Sequence, residues 1–490
     1  MTLLQSFDAR TGAAHGEPLN ASTAADIDAA VQAAAAAFDM WGSSTGAQRA
    51  ALLDALAAVL EGDREALVAL ADVETALGTA RLSGEVDRTA FQLRRFADMA
   101  TRGVPFERLD DPAVAGAPPV GHPAMLRQRV PLGPVAMFAA SNFPFAFSVL
   151  GGDTASALAA GCPVVVKAHP GHPLLSQRVF GLVRGVLQAQ GLPAGLVGLV
   201  QGAAIEVGVD LVRHPLIAAG AFTGSTRGGA ALQAEAKARP RPIPFYGELG
   251  SVNPVVALPA ALEAKGDELA TTLAGSIALG CGQFCTNPGL LVLIDGPASD
   301  RFVAQLTAAL ATQQPHAMLT TGMRRAFDAG VARFIEHGAQ PLVQQPGSAQ
   351  APGPQLLQVS AARFLQQPAL HEEVFGPSSL VVRASSVAEV LAVLAAVGGS
   401  LTVTLWGAEA ESDDTRSLVR GAMAIAGRVL FAGVPTGVAV TAAQQHGGPW
   451  PASTQPMTTS VGDAALDRFL RPVSLQDAPA WLQAREGRPC

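Results

Sequence analysis

The chain has 490 residues, of which 49% are hydrophobic and 15% are charged, and its formal net charge is -7. Length alone predicts about two to four domains around a large buried core. The apolar share is too high for a disordered protein. The acidic balance gives no reason to expect nucleic acid or an anionic membrane as a partner.

Cysteine is rare, occurring at Cys162, Cys281, Cys285 and Cys490. Four cysteines are too few for a disulfide framework in so long a chain, which favours a reducing compartment, and we expect a cytoplasmic protein. Residues 1–8 lack a basic region followed by an apolar block, so no secretion signal is predicted.

Residues 130–152 carry no charge, and this length would allow a membrane helix. Three prolines interrupt the stretch, namely Pro131, Pro134 and Pro144. Because proline breaks helices, two buried strands joined by a loop fit better, and we expect no membrane partner.

Helices are predicted first along the chain. Apolar residues at three- and four-residue spacing predict helices over 24–38, 47–60, 64–76 and 88–102. A break rich in Pro, Gly and Ala follows at 110–119.

Strands and helices then alternate. Short apolar strands are predicted at 133–139, 163–167, 196–201 and 218–223, with a helix over 173–190. Such repetition implies parallel pairing with right-handed crossovers, an α/β layered fold. A second alternating block covers about 252–438. Residues 446–477 are Pro-rich, and we interpret them as a strand that packs away from its own catalytic domain.

The most informative segment is Gly280–Pro288, a Gly- and Pro-rich loop after an apolar run. Cys285 in this loop is a candidate nucleophile, although a free thiol with a pKa of about 8.5 needs help from its surroundings. The alternative is a half-buried, small apolar residue. Cys281 shares the loop and is the rival nucleophile. No His-rich cluster accompanies the two cysteines, so no metal site is predicted.

Three polar side chains lie at or after strand-like runs. Glu248 is a candidate general base, against a surface or capping role. Asn142 lies in an apolar run, where its amide either ties down backbone or donates to a reacting oxygen. Lys167 ends a predicted strand, where cofactors bind on open α/β sheets, unless it merely reaches solvent.

A turn at 222–229 follows a predicted strand and opens a helix. Exposed backbone N–H groups at such a junction can bind a phosphate. The turn is not the dinucleotide fingerprint G-x-G-x-x-G.

Together these segments resemble the aldehyde dehydrogenase superfamily over essentially the full length. The motifs occur in that superfamily's order and approximate spacing: Asn142, Lys167, the turn at 222–225, Glu248, Cys285 and Glu373. Within it, the loop GQFCTNPG and the tail HGGPWPASTQPMTTSVG look most like α-ketoglutarate semialdehyde (2,5-dioxopentanoate) dehydrogenases. Bacterial NADP-linked fatty aldehyde dehydrogenases look similar.

The resemblance implies roles for three catalytic residues. The Cys285 thiolate attacks the aldehyde carbon, and the Asn142 side chain and the Cys285 backbone N–H stabilise the oxyanion. Glu248 then activates water to release the carboxylic acid from the thioester.

The resemblance also implies a Rossmann-variant cofactor domain that binds NADP or NAD. The expected cofactor-binding residues are Lys167, Pro170, Gly224, Ser225, Glu373 and Phe375. Members that favour NAD often have an acidic residue three positions after the lysine. Here that position is Pro170, so no carboxylate repels a 2′-phosphate and NADP is expected to be preferred.

The implied reaction is oxidation of 2,5-dioxopentanoate to 2-oxoglutarate. Arg94 and Phe145 are the candidate substrate-binding residues, because a distal carboxylate needs a cationic partner. Relatives tend to carry polar residues where this chain has Ala432 and Ala439. That departure favours the alternative of an aliphatic, fatty aldehyde.

The implied architecture has three domains. They are a cofactor-binding domain over 1–110 and 130–247, a catalytic domain over 248–445, and a small β oligomerisation arm over 111–129 and 446–490. The exposed edge strands of such an arm imply a homodimer or homotetramer.

Two other function classes stay open. A thiol hydrolase using Cys285 needs a general base such as histidine, and no histidine is marked by its sequence context. A catalytically silent relative acting as a binding protein has no physical use for Cys285, Glu248 and Asn142 together.

Overall fold

The structure, a computed structural model, describes residues 2–483. It begins with a hairpin of β1 (Leu3–Phe7) and β2 (Ala14–Asn20), and continues with helices α1 (Ala24–Gly42), α2 (Gly46–Gly62), α3 (Arg64–Thr75) and α4 (Thr79–Thr101). Capping boxes at Thr23 and Thr45 fix the starts of α1 and α2.

The helix α4 begins well before the predicted start at residue 88. Its first turns contain Gly84, a poor helix former. Leu82 and Glu85 are nevertheless buried there, so tertiary packing outweighs the low local propensity. Two short strands follow, β3 (Arg108–Asp111) and β4 (Met125–Pro131).

The first large sheet is entirely parallel. Its elements are β5 (Val135–Phe138), α5 (Gly152–Ala160), β6 (Val164–Lys167), α6 (Pro173–Ala189), β7 (Val197–Val200), α7 (Ile205–Arg213), β8 (Ala219–Thr223), α8 (Thr226–Ala238) and β9 (Phe245–Glu248). The strand order is β7-β6-β5-β8-β9, with Val135 of β5 paired to Val164 and Ala219. The order reverses between β5 and β8, the switch point at which open α/β sheets bind ligands.

The second sheet has seven strands. Its elements are β10 (Pro254–Ala257), α9 (Pro259–Ala278), β11 (Leu290–Ile294), α10 (Pro297–Ala311), α11 (Thr321–Glu336), β12 (Gln340–Gln344), β13 (Gln355–Ser360), α12 (Ala361–Gln366), β14 (Ser378–Ala384), α13 (Val387–Val397), β15 (Ser400–Trp406), α14 (Asp413–Ile425) and β16 (Ala426–Leu430). The order is β12-β13-β14-β11-β10-β15-β16, and β12 pairs antiparallel to its neighbour.

A third, small sheet combines β17 (Leu470–Gln476) with β4 and β3, all antiparallel, and α15 (Ala480–Gln483) follows it. β17 thus pairs with a strand that precedes the first large sheet and not with the second sheet. Residues 484–490 of the predicted arm, with Cys490, lie outside the described part. Within residues 2–483, no helix is long and apolar enough to cross a membrane.

The predicted α/β class is confirmed. Separate apolar cores fill the space around the two large sheets, and the strands β5, β6 and β11 are almost wholly buried. Polar residues consequently concentrate at strand ends, where the chain leaves the core.

Candidate active site

The loop that carries Cys285 lies between α9 and β11, and its backbone is unusual. Gly280, Cys281 and Gly282 have φ values of 55°, 63° and 63°. A Cβ at Gly282 would lie 2.2 Å from the carbonyl oxygen of Gly376. This close approach requires glycine and forces the sharp turn that presents the cysteine loop.

The two cysteines of the loop have different surroundings. Cys281 is buried, its Sγ donates to the His316 carbonyl at 3.0 Å, and burial raises its pKa to about 12. Cys285 is half-buried and lies beside polar groups. The structure therefore favours Cys285 over its rival.

Asn253 anchors the cysteine loop, a role that sequence reasoning missed. The residue is fully buried with φ 46°, and its Nδ2 donates to the carbonyls of Cys285 at 2.8 Å and Asn287 at 2.9 Å. Its Oδ1 accepts from Ser251 and Thr402. An asparagine directly before the proline that opens β10 was the available signal.

A buried histidine lies beside both predicted catalytic groups. The Nε2 of His446 is 2.9 Å from Oε1 of Glu248 and 3.6 Å from Sγ of Cys285. Ser460 donates to the other oxygen of Glu248. The three side chains of Glu248, Cys285 and His446 offer possible metal-ligand atoms within 4.8 Å of one another.

This histidine corrects two interpretations of the sequence. Residues 446–490 were assigned to the oligomerisation arm, yet His446 and Ser460 contact Glu248. A histidine base was thought to be unmarked. The missed signal is that His446 lies within residues 429–462, a long stretch without any Asp, Glu, Lys or Arg.

Electrostatics separate the roles of the two reacting groups. Burial raises the pKa of the Cys285 thiol well above its ordinary value, and the Glu248 carboxylate raises it further. Burial opposes ionisation of Glu248, but His446, Ser460 and Cys285 outweigh it and lower the pKa of that carboxyl. Glu248 is thus held as a carboxylate that can take the thiol proton.

Asn142 faces the cysteine loop. Its buried Nδ2 donates to the Gln283 carbonyl at 3.0 Å, and its own carbonyl accepts from Arg81 at 2.7 Å. An amide NH2 has two donors, so one N–H stays available for an oxyanion. Both roles considered from the sequence, tying backbone and donating to a reacting oxygen, are compatible with this geometry.

The predicted cofactor residues divide between the two large sheets. Lys167 ends β6 and is half-buried, whereas Ser225, which caps α8, and its neighbour Gly224 are exposed. Burial lowers the pKa of Lys167 to about 8. Pro170 is half-buried in the loop after β6.

Glu373 and Phe375 precede β14 and line the same small pocket. Burial raises the pKa of Glu373 to about 7. A Cβ at Gly250 would lie 2.4 Å from its Oε2. This glycine therefore leaves space for the carboxylate between the two sheets.

The structure does not bring either predicted substrate residue to the thiol. Arg94 is exposed and pairs with Glu61 at 2.6 Å. Phe145 is buried in the core formed by the first sheet and its helices. The Arg88 guanidinium lies 6.0 Å from the ring centre of Phe147, and its charge acts through space on the Cys285 thiol.

The site lies where two sheet ends meet. Residues at or after the carboxyl ends of strands in the first sheet are Asn142, Lys167, Ser225 and Glu248. Residues before the amino ends of strands in the second sheet are Asn253, Cys285 and Glu373. The contact between Asn142 and Gln283 joins the two groups.

The profile of the aldehyde dehydrogenase family matches residues 5–413. The chain belongs to the aldehyde dehydrogenase family. It is 46% identical to alpha-ketoglutaric semialdehyde dehydrogenase 2 of Azospirillum brasilense, covering 95% of this chain and 90% of the relative. It is 40% identical to the alpha-ketoglutaric semialdehyde dehydrogenase of Acinetobacter baylyi, covering 98% and 91%.

Solved structures agree with this aldehyde dehydrogenase fold. PnpE in complex with nicotinamide adenine dinucleotide has a TM-score of 0.82 at 25% identity and covers 98% of this chain and 95% of that one. Aldehyde dehydrogenase 21 from Physcomitrella patens, in complex with the product succinate, has a TM-score of 0.81 at 20% identity and covers 97% and 94%.

Proposed function

We propose that this aldehyde dehydrogenase oxidises 2,5-dioxopentanoate to 2-oxoglutarate, with NADP preferred over NAD. The reaction type is supported above all by the contacts of His446 with both the Glu248 carboxylate and the Cys285 thiol. The substrate is supported by the two relatives named for α-ketoglutaric semialdehyde.

The first step is the attack of Cys285 on the aldehyde carbon. Because its thiol pKa is raised, the proton must leave as the bond forms, and Glu248 accepts it while His446 and Ser460 hold the carboxylate. The resulting oxyanion accepts from the free N–H of Asn142 and from the Cys285 backbone N–H. Each such donor is worth about 2.7–4 kcal/mol.

Bound NAD(P) would supply the hydride acceptor that turns the thiohemiacetal into a thioester. Glu248 then removes a proton from water, which attacks the thioester carbon. The carboxylic acid leaves and the Cys285 thiol is restored.

The residues present fit a dinucleotide. The exposed N-terminus of α8 at Ser225 offers backbone N–H groups to a pyrophosphate, and Glu373 beside Gly250 can accept from a ribose hydroxyl. Lys167 can pair with a 2′-phosphate, and Pro170 places no carboxylate beside it. These contacts support the preference for NADP.

The test is production of reduced nicotinamide by the purified protein with NADP and NAD compared. The substrates are 2,5-dioxopentanoate, succinic semialdehyde and a medium-chain aliphatic aldehyde, and Cys285→Ala is the control. We expect NADP-linked turnover of 2,5-dioxopentanoate that the variant lacks. Preference for the aliphatic aldehyde would reject the substrate, and preference for NAD would reject the cofactor assignment.

A thiol hydrolase is the second candidate function, favoured by the 3.6 Å contact between His446 and Cys285. This activity would hydrolyse an aryl ester without nicotinamide. A Glu248→Gln variant that keeps ester turnover while losing aldehyde oxidation would support it. Absence of ester turnover in the wild-type protein would reject it.

We also propose a homodimer or homotetramer assembled through the third sheet. Its outer strands β3 and β17 each pair on one side within the described chain. Leu109 of β3 is 55% exposed, which favours coverage by a second copy. Light scattering coupled to size exclusion tests this, and a monomer would reject it.

A further inference from the structure

Three arginines near the cysteine loop have guanidinium atoms that lack partners. These are Nη1 of Arg81 and Nε of Arg88, both on α4, and Nε of Arg428 on β16. No ion pair between residues 2 and 483 involves any of the three. Buried cationic donors without acceptors are costly, which makes them candidates for contact with an anionic ligand.

Arg88 and Arg428 donate hydrogen bonds to neighbouring carbonyls of one loop. Nη1 of Arg88 donates to the Val438 carbonyl at 2.6 Å, and Arg428 donates to the carbonyls of Pro435 and Gly437 at 2.7 and 2.9 Å. Both guanidinium groups therefore hold one short segment, 435–438. Both are also electrostatically coupled to Cys285.

Arg88 lies beside an apolar cluster, with its guanidinium 6.0 Å from the ring centre of Phe147. Phe143, Phe147, Val438, Val440 and Val461 pack in one cluster, with the Phe143 and Phe147 rings 5.4 Å apart. An ion pair formed beside such a cluster is screened less than one on the surface.

The acidic residue between these arginines on α4 forms no ion pair with them. Glu85 lies between Arg81 and Arg88 on α4, and its Oε1 accepts from the backbone N–H groups of Phe145 and Ala146. Its contact with the arginines is through space only. Glu85 and Glu248 act on the charge of Arg88 through space, but the Nε of Arg88 keeps no partner and can donate to a ligand.

We propose that Arg88, with Arg428 beside it, binds the carboxylate of an anionic aldehyde and so sets the preference for ω-oxo acids over neutral aldehydes. This inference rests on the proposed function for the identity of the substrate. The carboxylate pairs with the guanidinium edge while the aldehyde carbon reaches Cys285.

The first test compares Arg88→Gln with Arg94→Gln, a control on the exposed face of the same helix. The substrates are 2,5-dioxopentanoate and pentanal, which has the same chain length and no carboxylate. We expect Arg88→Gln to lower kcat/KM for the anionic substrate about 10- to 100-fold and to change pentanal less than about threefold. Arg94→Gln should resemble the wild type.

The second test measures anion attraction without turnover. The rates at which iodoacetate and iodoacetamide alkylate Cys285 are compared, because their ratio cancels changes in thiol reactivity. We expect this ratio to fall about tenfold in Arg88→Gln and to stay constant in Arg94→Gln.

The outcomes separate this inference from the proposed function. Equal losses for both aldehydes with an unchanged alkylation ratio would overturn the inference and leave Arg88 as a support for residues 435–438. A reduced ratio in a protein that does not oxidise 2,5-dioxopentanoate would reject the proposed substrate and support the anion site.

Discussion

Replacing His446 by phenylalanine tests how the site keeps Glu248 ionised. The imidazole Nε2 donates to Oε1 of Glu248 at 2.9 Å, and this contact is a main cause of the lowered pKa of the carboxyl. Phenylalanine fills similar space without a donor. The pKa of Glu248 is therefore expected to rise, because the ionised form loses a partner while burial persists.

The magnitude follows from one hydrogen bond to a buried charge, about 1.5–3 kcal/mol. Below the pKa of Glu248 in the variant, the ionised fraction of this base falls by about 10- to 100-fold. Ionised Glu248 is required for both proton transfers, so the acid limb of kcat moves to higher pH. At alkaline pH, where the base ionises anyway, the loss should be smaller.

The assay is the pH dependence of kcat for NADP-linked aldehyde oxidation. His446→Gln is the matched control, because its amide N–H can still donate to Glu248. We expect the acid limb to move in His446→Phe and to move less in His446→Gln. An unmoved limb in both variants, with activity reduced equally at every pH, would refute the reasoning.

Further predictions concern the loop, the thiols, metals and the cofactor. Asn253→Ala should lower the free energy of unfolding in urea by about 2–4 kcal/mol, because two loop carbonyls lose their donor; an unchanged midpoint would contradict it. Cys281→Ser should keep NAD(P)H production and Cys285→Ser should abolish it; the reverse result would make Cys281 the nucleophile. Zn²⁺ should inhibit reversibly, with EDTA restoring turnover, because the thiol lies in a cluster of potential ligands; inhibition that persists after EDTA would count against this. The KM for NADP should rise as pH falls below about 7, because protonated Glu373 cannot accept two ribose hydrogen bonds; the same profile in Glu373→Gln would contradict the assignment.

Local patterns predicted the elements well. The strands β5, β6, β7 and β8 all lie within their predicted ranges, because short apolar runs between glycine and proline are typical of buried strands. Strand ends also located Lys167 and Glu248. The location of a residue at the end of a strand can be predicted from the local sequence alone.

Contacts between distant segments were not predictable in the same way. His446 meets Glu248 across 198 positions, and Asn253 meets Cys285 across 32. The local periodicity of a sequence does not predict contacts between residues so far apart in the chain. The uncharged stretch around His446 could have indicated that this histidine is buried. The Pro-rich composition of the tail instead favoured an arm away from the active site.

The choice of Arg94 illustrates a different limit. The helix was predicted, but the face that turns toward the site depends on docking. Arg88 and Arg94 are six residues apart, which places them about 120° apart around a helix. Arg81, Arg88 and Arg95 recur every seven residues, and this spacing marks one side of α4. This seven-residue repeat was a better indication of which arginines on α4 face the site than the choice of Arg94.

The position of Arg88 also affects how Ala432 and Ala439 are interpreted. Relatives tend to carry polar residues at these two positions, and their replacement by alanine favoured an apolar aldehyde in the sequence analysis. Both alanines are exposed. In our proposal, the charge that selects the substrate comes from α4 and β16, so positions 432 and 439 need not be polar. The apolar cluster of Phe143 and Phe147 then strengthens the pairing with Arg88, because an ion pair beside it is screened less than one on the surface. A site can thus be lined by hydrophobic side chains and still prefer an anion.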